Sequence, residues 1–127
     1  MRKSELEKIR KFHGHIGPYA VTGYIIGQLV KSHFGKIEKI VIYNPLKTPY
    51  SCLIDGLQLS SGCTVGCSSI ILKKAGDLKI IIYLSNKKIV INLNQGFKKI
   101  AQAHFKKDMK KFARLIKPLI NNNLKNI

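Results

Sequence analysis

Apolar residues recur along this chain with two different periods, and these periods predict its secondary structure. Helical spacing, in which apolar residues return every three or four positions, alternates with short runs of β-branched residues bounded by turn-forming residues. In chain order the pattern predicts helices over 4–12 and 18–34, a strand over 39–43, a helix over 48–61, strands over 69–74, 78–84 and 88–93, and a helix over 97–117. This order is typical of an α+β fold with N-terminal helices, a small mixed and largely antiparallel sheet, and a C-terminal helix.

Glycines and turn-forming residues make the prediction more specific. Residues 75–77 (AGD) and 85–87 (SNK) predict hairpin-like turns between successive strands. Gly23 and Gly27 are four residues apart within the second helix, so they predict a shallow stripe at which another backbone can come close.

Length and composition fit one folded domain. The chain has 127 residues, of which 45% are hydrophobic, so a core can form without disulfide staples. Pro118 is predicted to interrupt the last helix, which places the core of a single domain (residues 1–127) within about residues 4–117 and leaves 118–127 as a tail. No apolar run approaches the roughly 20 residues of a membrane span, and the first residues lack the apolar segment of a signal peptide. We therefore expect a cytoplasmic protein with no membrane partner.

The net charge of +17 at pH 7 raises the question of a polyanionic partner. Basic patches bind nucleic acid by releasing counterions from its phosphates. In this sequence, however, the lysines are spread along the chain rather than gathered with aromatic residues. From Lys98 onward, nine basic residues accompany a single acid, Asp108, and they also form the polar side of an amphipathic helix. A solvated surface is therefore favoured over nucleic-acid binding, and long-range attraction of an anionic substrate or partner stays an alternative.

Two histidines precede the second predicted helix. His13 and His15 flank Gly14, whose conformational freedom lets both imidazoles point to one side of the chain. Such a pair can bind a metal ion or act as a general base. The alternative is a helix-entry turn in which the imidazoles only cap backbone carbonyls. His33 and His104 lie within amphipathic helices and are interpreted as structural or surface residues.

The three cysteines are the second reactive set. An odd number of cysteines in a reducing compartment favours thiols or metal ligands over disulfides. Cys52 lies near the start of the third helix, where the helix N-terminus is expected to lower its pKa, and Asp55 one turn later could orient a histidine or a water. The alternative for Cys52 is a small buried apolar residue. A straight helix over 52–60 spans roughly 12 Å, so Cys52 and Cys63 can share one metal only if the chain folds back.

Together these motifs resemble the signature of the FmdE family, which takes its name from a component of formylmethanofuran dehydrogenase. The matching segments are residues 12–18 (FHGHIGP) and residues 52–66 (CLIDGLQLSSGCTVG). The chain has Cys67 where the family usually has lysine, and it is similar to a short form without the zinc-finger extension of many relatives. The resemblance implies a core like that of the catalytic domain of glyceraldehyde phosphate dehydrogenases, and a homodimer.

The resemblance also implies a metal or thiol site built from both motifs. Its candidate metal ligands are His13, His15, Cys52 and Cys63. The matching motif makes Asp55, together with Cys52 and Cys63, a candidate for catalysis. Its candidates for cofactor binding are Cys67, Thr64 and Gln58. In the family's namesake enzyme the formyl oxidation belongs to the tungsten or molybdenum subunits, so we do not expect this protein to catalyse it alone.

Three functions are compatible with the sequence. The first is a dimeric metal-binding protein, with zinc in a tetrahedral site, that is accessory to formylmethanofuran dehydrogenase or to related redox metabolism and its partner subunits. The second is an enzyme that uses Cys52 or Cys63 as a thiolate nucleophile, or an iron–sulfur cluster on Cys52, Cys63 and Cys67. The third is an interaction module whose basic C-terminal helix binds nucleic acid or an acidic partner.

Overall fold

The structure is a computed structural model that describes residues 1–125. Its elements, in chain order, are α1 (Lys3–His13), α2 (Pro18–Phe34), β1 (Lys39–Asn44), α3 (Cys52–Ser61), β2 (Ile70–Lys74), β3 (Leu78–Tyr83), β4 (Lys88–Leu93), α4 (Gln95–Ala103) and α5 (Met109–Lys125). Within the described residues, no helix is long and apolar enough to cross a membrane. The element order is the predicted one, apart from the division of the last helix into two.

The four strands form one mixed sheet in the order β2-β1-β3-β4. β1 pairs with β2 in parallel, and the other two pairings are antiparallel. The predicted α+β class with a largely antiparallel sheet is therefore confirmed. The turn over 85–87 joins β3 to β4 as predicted, and the Leu84 N–H donates to the Lys87 carbonyl at 2.9 Å.

The prediction of a hairpin over 75–77 is wrong. Because β1 lies between β2 and β3, this segment crosses the end of β1 instead of joining two neighbouring strands. The Ala75 N–H donates to the carbonyl of Asn44, the last residue of β1, at 3.0 Å. A short turn between two β-rich runs does not reveal that a third strand lies between them.

The core lies between one face of the sheet and the helices. Ile40, Ile42, Ile80 and Ile82 are fully buried on that face, and they belong to the same apolar cluster as α2, α3 and α5. Burying a side chain of this size contributes about 1.5–3 kcal/mol. Packing of the helices against this face of the sheet thus fixes the positions of the ends of α1, α2 and α3.

α2 and α3 pack with their backbones in direct contact. A Cβ atom on Gly23 would lie 2.2 Å from the Leu53 carbonyl oxygen, and one on Gly56 would lie 2.0 Å from that of Ala20. The stripe predicted at Gly23 and Gly27 is confirmed, with Gly56 as its counterpart on α3. This packing fixes where the N-terminus of α3, and hence Cys52, lies relative to α2.

Two helices begin at other residues than predicted. α1 begins at Lys3, with Arg2 and Glu5 rather than Ser4 and Glu7 forming the capping interactions. α3 begins at Cys52 rather than at residue 48. The N–H groups of Cys52 and Leu53 bond to carbonyls three residues earlier, so residues 48–51 form a tighter turn that leads into the helix.

The C-terminal region differs from its prediction in two ways. Residues 104–108 separate α4 from α5, and Phe105, predicted to lie on the apolar side of one helix, is 46% exposed. Pro118 does not end α5, which continues to Lys125 and buries Ile120 and Leu124 in the core. Core packing outweighs the hydrogen bond that proline removes. Of the predicted tail over 118–127, residues 126 and 127 lie outside the described part.

Candidate metal centre

The short link between α1 and α2 places two imidazoles side by side. α1 ends at His13, and Gly14 follows in the left-handed conformation (φ 99°) with its N–H bonded to the Arg10 carbonyl at 2.8 Å. This conformation turns the chain, and α2 begins at Pro18. The rings of His13 and His15 consequently lie with their centroids 4.5 Å apart.

Cys52 joins the two histidines from the first position of α3. Its side chain is buried, and one ligand atom each from His13, His15 and Cys52 lies within 4.8 Å of the others. Two imidazole nitrogens and one thiolate form a donor set that zinc and related metals prefer. Among the described residues, this is the one group of three or more such side chains.

His13 carries the clearest sign of a missing partner. Its Nδ1 lies 2.6 Å from Oδ2 of Asp55. Its Nε2 is buried and has no hydrogen-bond partner within residues 1–125. Because a carboxylate at Nδ1 favours the proton on that nitrogen, the Nε2 lone pair remains free to bind an ion. Buried polar atoms almost always have a partner, so the residues present fit a metal at this position.

Asp55 is itself held by Gln58. The Gln58 amide Nε2 donates to Asp55 Oδ1 at 3.3 Å, and its Oε1 accepts from the Val65 N–H at 2.9 Å. Thr64 Oγ1 accepts from the Cys67 N–H at 3.0 Å. Gln58 and Thr64, candidates for cofactor binding, therefore organise the segment after α3, and Gln58 ties that segment to the Asp55–His13 pair.

Cys63 and Cys67 are not brought into the group. Cys63 lies beyond the C-terminal end of α3, a ten-residue helix about 15 Å long that begins at Cys52, and it is not part of the group. The Cys63 thiol is buried and donates to the Ile37 carbonyl at 3.6 Å. Cys67 is exposed to solvent. The chain does not fold back after Gly62 in the way that a shared site of Cys52 and Cys63 requires.

The environment of Cys52 favours its neutral form. Burial raises the pKa of the Cys52 thiol, and the nearby Asp55 carboxylate raises it further, while a backbone hydrogen bond opposes both. The pKa of Cys52 is therefore raised rather than lowered as the sequence predicted, because desolvation and the Asp55 carboxylate outweigh the backbone hydrogen bond. A metal ion would reverse this balance, since a coordinated thiol loses its proton.

A small apolar pocket adjoins His15 and Cys52. It has a volume of about 90 Å³, and Tyr19, Pro49 and Phe105 are among its lining residues. Burial and the nearby Tyr50 raise the pKa of Tyr19 to about 12, so this phenol stays neutral. Of the described residues that line the pocket, none is a lysine or an arginine. The sequence did not indicate Phe105, because its helical spacing placed it in the core.

The other two histidines have ordinary structural contacts. His104 Nδ1 lies 2.8 Å from the Ile100 carbonyl oxygen, and His33 Nε2 lies 2.5 Å from Asn121 Oδ1. These contacts fit the interpretation of both as structural or surface residues. A larger cavity of about 380 Å³ lies between β4, α4 and α5, and none of the candidate site residues lines it.

Comparison with known proteins identifies the family. No curated protein matches this chain. The family model described as "FmdE, Molybdenum formylmethanofuran dehydrogenase operon" matches residues 12–126, which is nearly the whole chain and includes His13, His15 and all three cysteines. The chain therefore belongs to the FmdE family.

Proposed function

We propose that this protein binds one zinc ion through His13, His15 and Cys52. Three protein ligands with an open fourth position are typical of catalytic zinc sites, whereas structural sites use four protein ligands. A small pocket lies beside His15 and Cys52, and it would admit a small molecule next to a metal held by these residues. When bound, zinc would act there as a Lewis acid that polarises the ligand.

The observation that carries this proposal is the state of His13. If the histidines only capped backbone carbonyls, His13 would resemble His104, whose ring nitrogen lies against the Ile100 carbonyl. Instead, Asp55 holds one nitrogen of His13, and the other is buried without a partner among the described residues, beside His15 and Cys52. Carboxylate–histidine pairs of this kind orient the imidazole toward a metal.

Metal analysis of the purified protein tests the proposal. We expect about one zinc per chain after purification without chelators, and less than about a tenth of that in His13→Ala and Cys52→Ser. Cys67→Ser and His104→Gln are matched controls that remove the same kinds of side chain outside the group, and both should retain the metal. Full metal content in Cys52→Ser, or its loss in Cys67→Ser, would contradict the assignment of ligands.

The wider role proposed here rests on family membership. An FmdE-like protein with this site would serve as a homodimeric accessory to formylmethanofuran dehydrogenase or to related redox metabolism. Affinity purification from the native cell should recover subunits of a redox enzyme with the wild-type protein, and sedimentation should give the mass of a dimer. A monomer that recovers no such subunit would contradict this role while leaving the metal site intact.

The thiol-dependent enzyme is the less favoured candidate. A nucleophilic Cys52 needs a lowered pKa, whereas burial and Asp55 raise it. The iron–sulfur alternative needs Cys52, Cys63 and Cys67 around one cluster. Cys63, however, lies beyond the C-terminal end of α3 and donates to the Ile37 carbonyl, and Cys67 is exposed to solvent. The zinc proposal needs no such rearrangement of the chain.

A further inference from the structure

One face of the sheet gathers basic and aromatic residues that are far apart in the sequence. This open sheet face comprises the odd-numbered residues of 39–43, 71–73 and 79–83 and the even-numbered residues of 88–92. The register aligns them across all four strands, with Val41 opposite Ile71 and Ile81, and Ile81 opposite Val90. Ile71 and Val90, on the two edge strands, are 38% and 44% exposed, whereas Val41 on the central strand β1 is 7% exposed, so this side of the sheet faces solvent at its edge strands.

The open sheet face is positively charged and aromatic. Two tyrosines, Tyr43 and Tyr83, lie on the two central strands. The ammonium of Lys79 lies 4.8 Å from the Tyr43 ring centre, and that of Lys39 lies 5.0 Å from the Tyr83 ring centre. Two further lysines share this face, Lys73 and Lys88. Although the chain has six acidic residues, none belongs to any of the four strands.

We propose that the open sheet face binds single-stranded nucleic acid. Proteins that bind single strands combine a basic surface along the backbone with aromatic rings on which bases stack. Here the four lysines would contact phosphates. Tyr43 and Tyr83 would offer their rings once the lysines that lie over them, Lys73 and Lys79 at Tyr43 and Lys39 at Tyr83, turn toward the phosphates. The sequence pattern disfavoured nucleic acid because its lysines are dispersed and separate from aromatic residues. Pairing of the strands brings the two kinds of residue together on one surface.

Area and charge favour this ligand over a second copy of the chain. Strands of about six residues, at roughly 3.3 Å per residue and 4.8 Å between neighbours, give a face of about 20 by 14 Å. Two such faces together cover roughly 600 Å² in projection, whereas stable interfaces bury about 1,200 Å² or more. A face-to-face dimer would also bring lysines against lysines with no acidic residue on this face to compensate.

The basic outer side of α5 is a weaker candidate for the same ligand. It exposes several basic residues, including Lys110 and Lys117. Phe112 is the one aromatic residue of α5, and it is fully buried in the core, so the helix offers no ring for stacking. The helix therefore provides a matched control with the same type of charge and no aromatic surface.

Fluorescence anisotropy with labelled oligonucleotides of about 12 nucleotides tests the proposal. We expect saturable binding to single-stranded RNA or DNA, weaker binding to a duplex of the same sequence, and loss of affinity with salt. The double variant Lys39→Gln/Lys79→Gln should reduce the slope of log K against log salt by about 1.4, whereas Lys110→Gln/Lys117→Gln, with the same change in charge, should leave it nearly unchanged. Tyr43→Leu should weaken binding about tenfold.

Several results would overturn the proposal. One is the absence of saturable binding at low salt. Another is an equal reduction of the salt slope in both lysine double variants, and a third is tighter binding to phosphatidylserine vesicles than to the oligonucleotide. A dimer that dissociates on Val90→Asp would identify the face as a self-association surface instead. Circular dichroism checks folding, and the lysine variants carry the test if Tyr43→Leu fails to fold. The result is independent of the metal site, because no strand contributes a ligand to it.

Discussion

At the scale of single residues, the metal site depends on two successive contacts, from Gln58 to Asp55 and from Asp55 to His13. Asp55 accepts from Gln58 and holds one nitrogen of His13. The other nitrogen is buried without a partner within the described residues, and His13 forms a compact group with His15 and Cys52. The sequence predicted the two histidines, Cys52 and a contact of Asp55 with a histidine or water. It did not predict that Cys63 would lie outside the group, because spacing in a sequence does not define the path of the chain after a helix.

Removing the Asp55 carboxylate should weaken metal binding without abolishing it. In Asp55→Ala, His13 loses the partner that orients its ring, and loss of such a partner typically lowers metal affinity by about 10- to 100-fold. Competition with a chromophoric chelator measures the change. Asp77→Ala removes an exposed carboxylate from the 75–77 segment and should bind zinc like the wild type. Equal affinities of the two variants would contradict a role for Asp55 in holding His13.

The raised pKa of Cys52 predicts how the metal-free protein responds to pH. Because the folded state favours the neutral thiol, Cys52 contributes to folding stability at pH values below its ordinary pKa of 9.0. This contribution is lost as pH rises above 9.0 and through the raised pKa of the folded state. Alkylation of Cys52 should therefore reach its half-maximal rate above pH 9.0, which mass spectrometry of labelled peptides can locate. Half-maximal alkylation of Cys52 below pH 9.0 would show that its pKa is not raised.

At the scale of elements, the hydrophobic pattern predicted the helices and strands better than it predicted which strands pair with one another. α2 has the predicted bounds because Pro18 and Gly35 delimit it and its core residues recur at helical spacing. The order of strands was only partly accessible, because the parallel pairing of β1 with β2 depends on long-range packing. The division between α4 and α5 was missed because Phe105 continues the helical period.

The contact of α2 with α3 should not tolerate an added methyl group. In Gly56→Ala the new Cβ would lie 2.0 Å from the Ala20 carbonyl oxygen, so the helices must separate. We expect the free energy of unfolding to fall by about 2–4 kcal/mol, with weaker zinc binding because Cys52 moves away from the histidines. Gly76→Ala, whose Cβ would meet no atom within 4 Å, should change stability by less than about 0.5 kcal/mol in the same urea titration. A Gly56→Ala protein as stable as Gly76→Ala would contradict the close packing.

At the scale of the whole molecule, the fold determines what composition alone could not. The charge of +17 was visible in the sequence, but its arrangement into an open sheet face required the register of four strands. The metal group likewise joins the end of α1, the link before α2 and the start of α3. An ion bound there would connect three segments of the chain and should stabilise the fold as a whole.

Removing the metal should therefore lower the melting temperature. A ligand present at about 100 times its Kd stabilises the folded state by roughly 2.7 kcal/mol. For a chain of 127 residues this corresponds to a decrease of about 10 °C on chelation. Differential scanning calorimetry with and without chelator measures it. The Cys52→Ser protein should show no such decrease, and an equal decrease in that variant would indicate that zinc acts elsewhere.

X-ray absorption at the zinc edge of the loaded protein tests the proposed metal site most directly. We expect one sulfur at about 2.3 Å and three nitrogen or oxygen ligands at about 2.0–2.1 Å, with imidazole scattering from two histidines. Cys67→Ser should give the same spectrum, whereas Cys52→Ser should retain too little zinc to give one. Two or more sulfur ligands, or the absence of imidazole scattering, would contradict a site built from His13, His15 and Cys52.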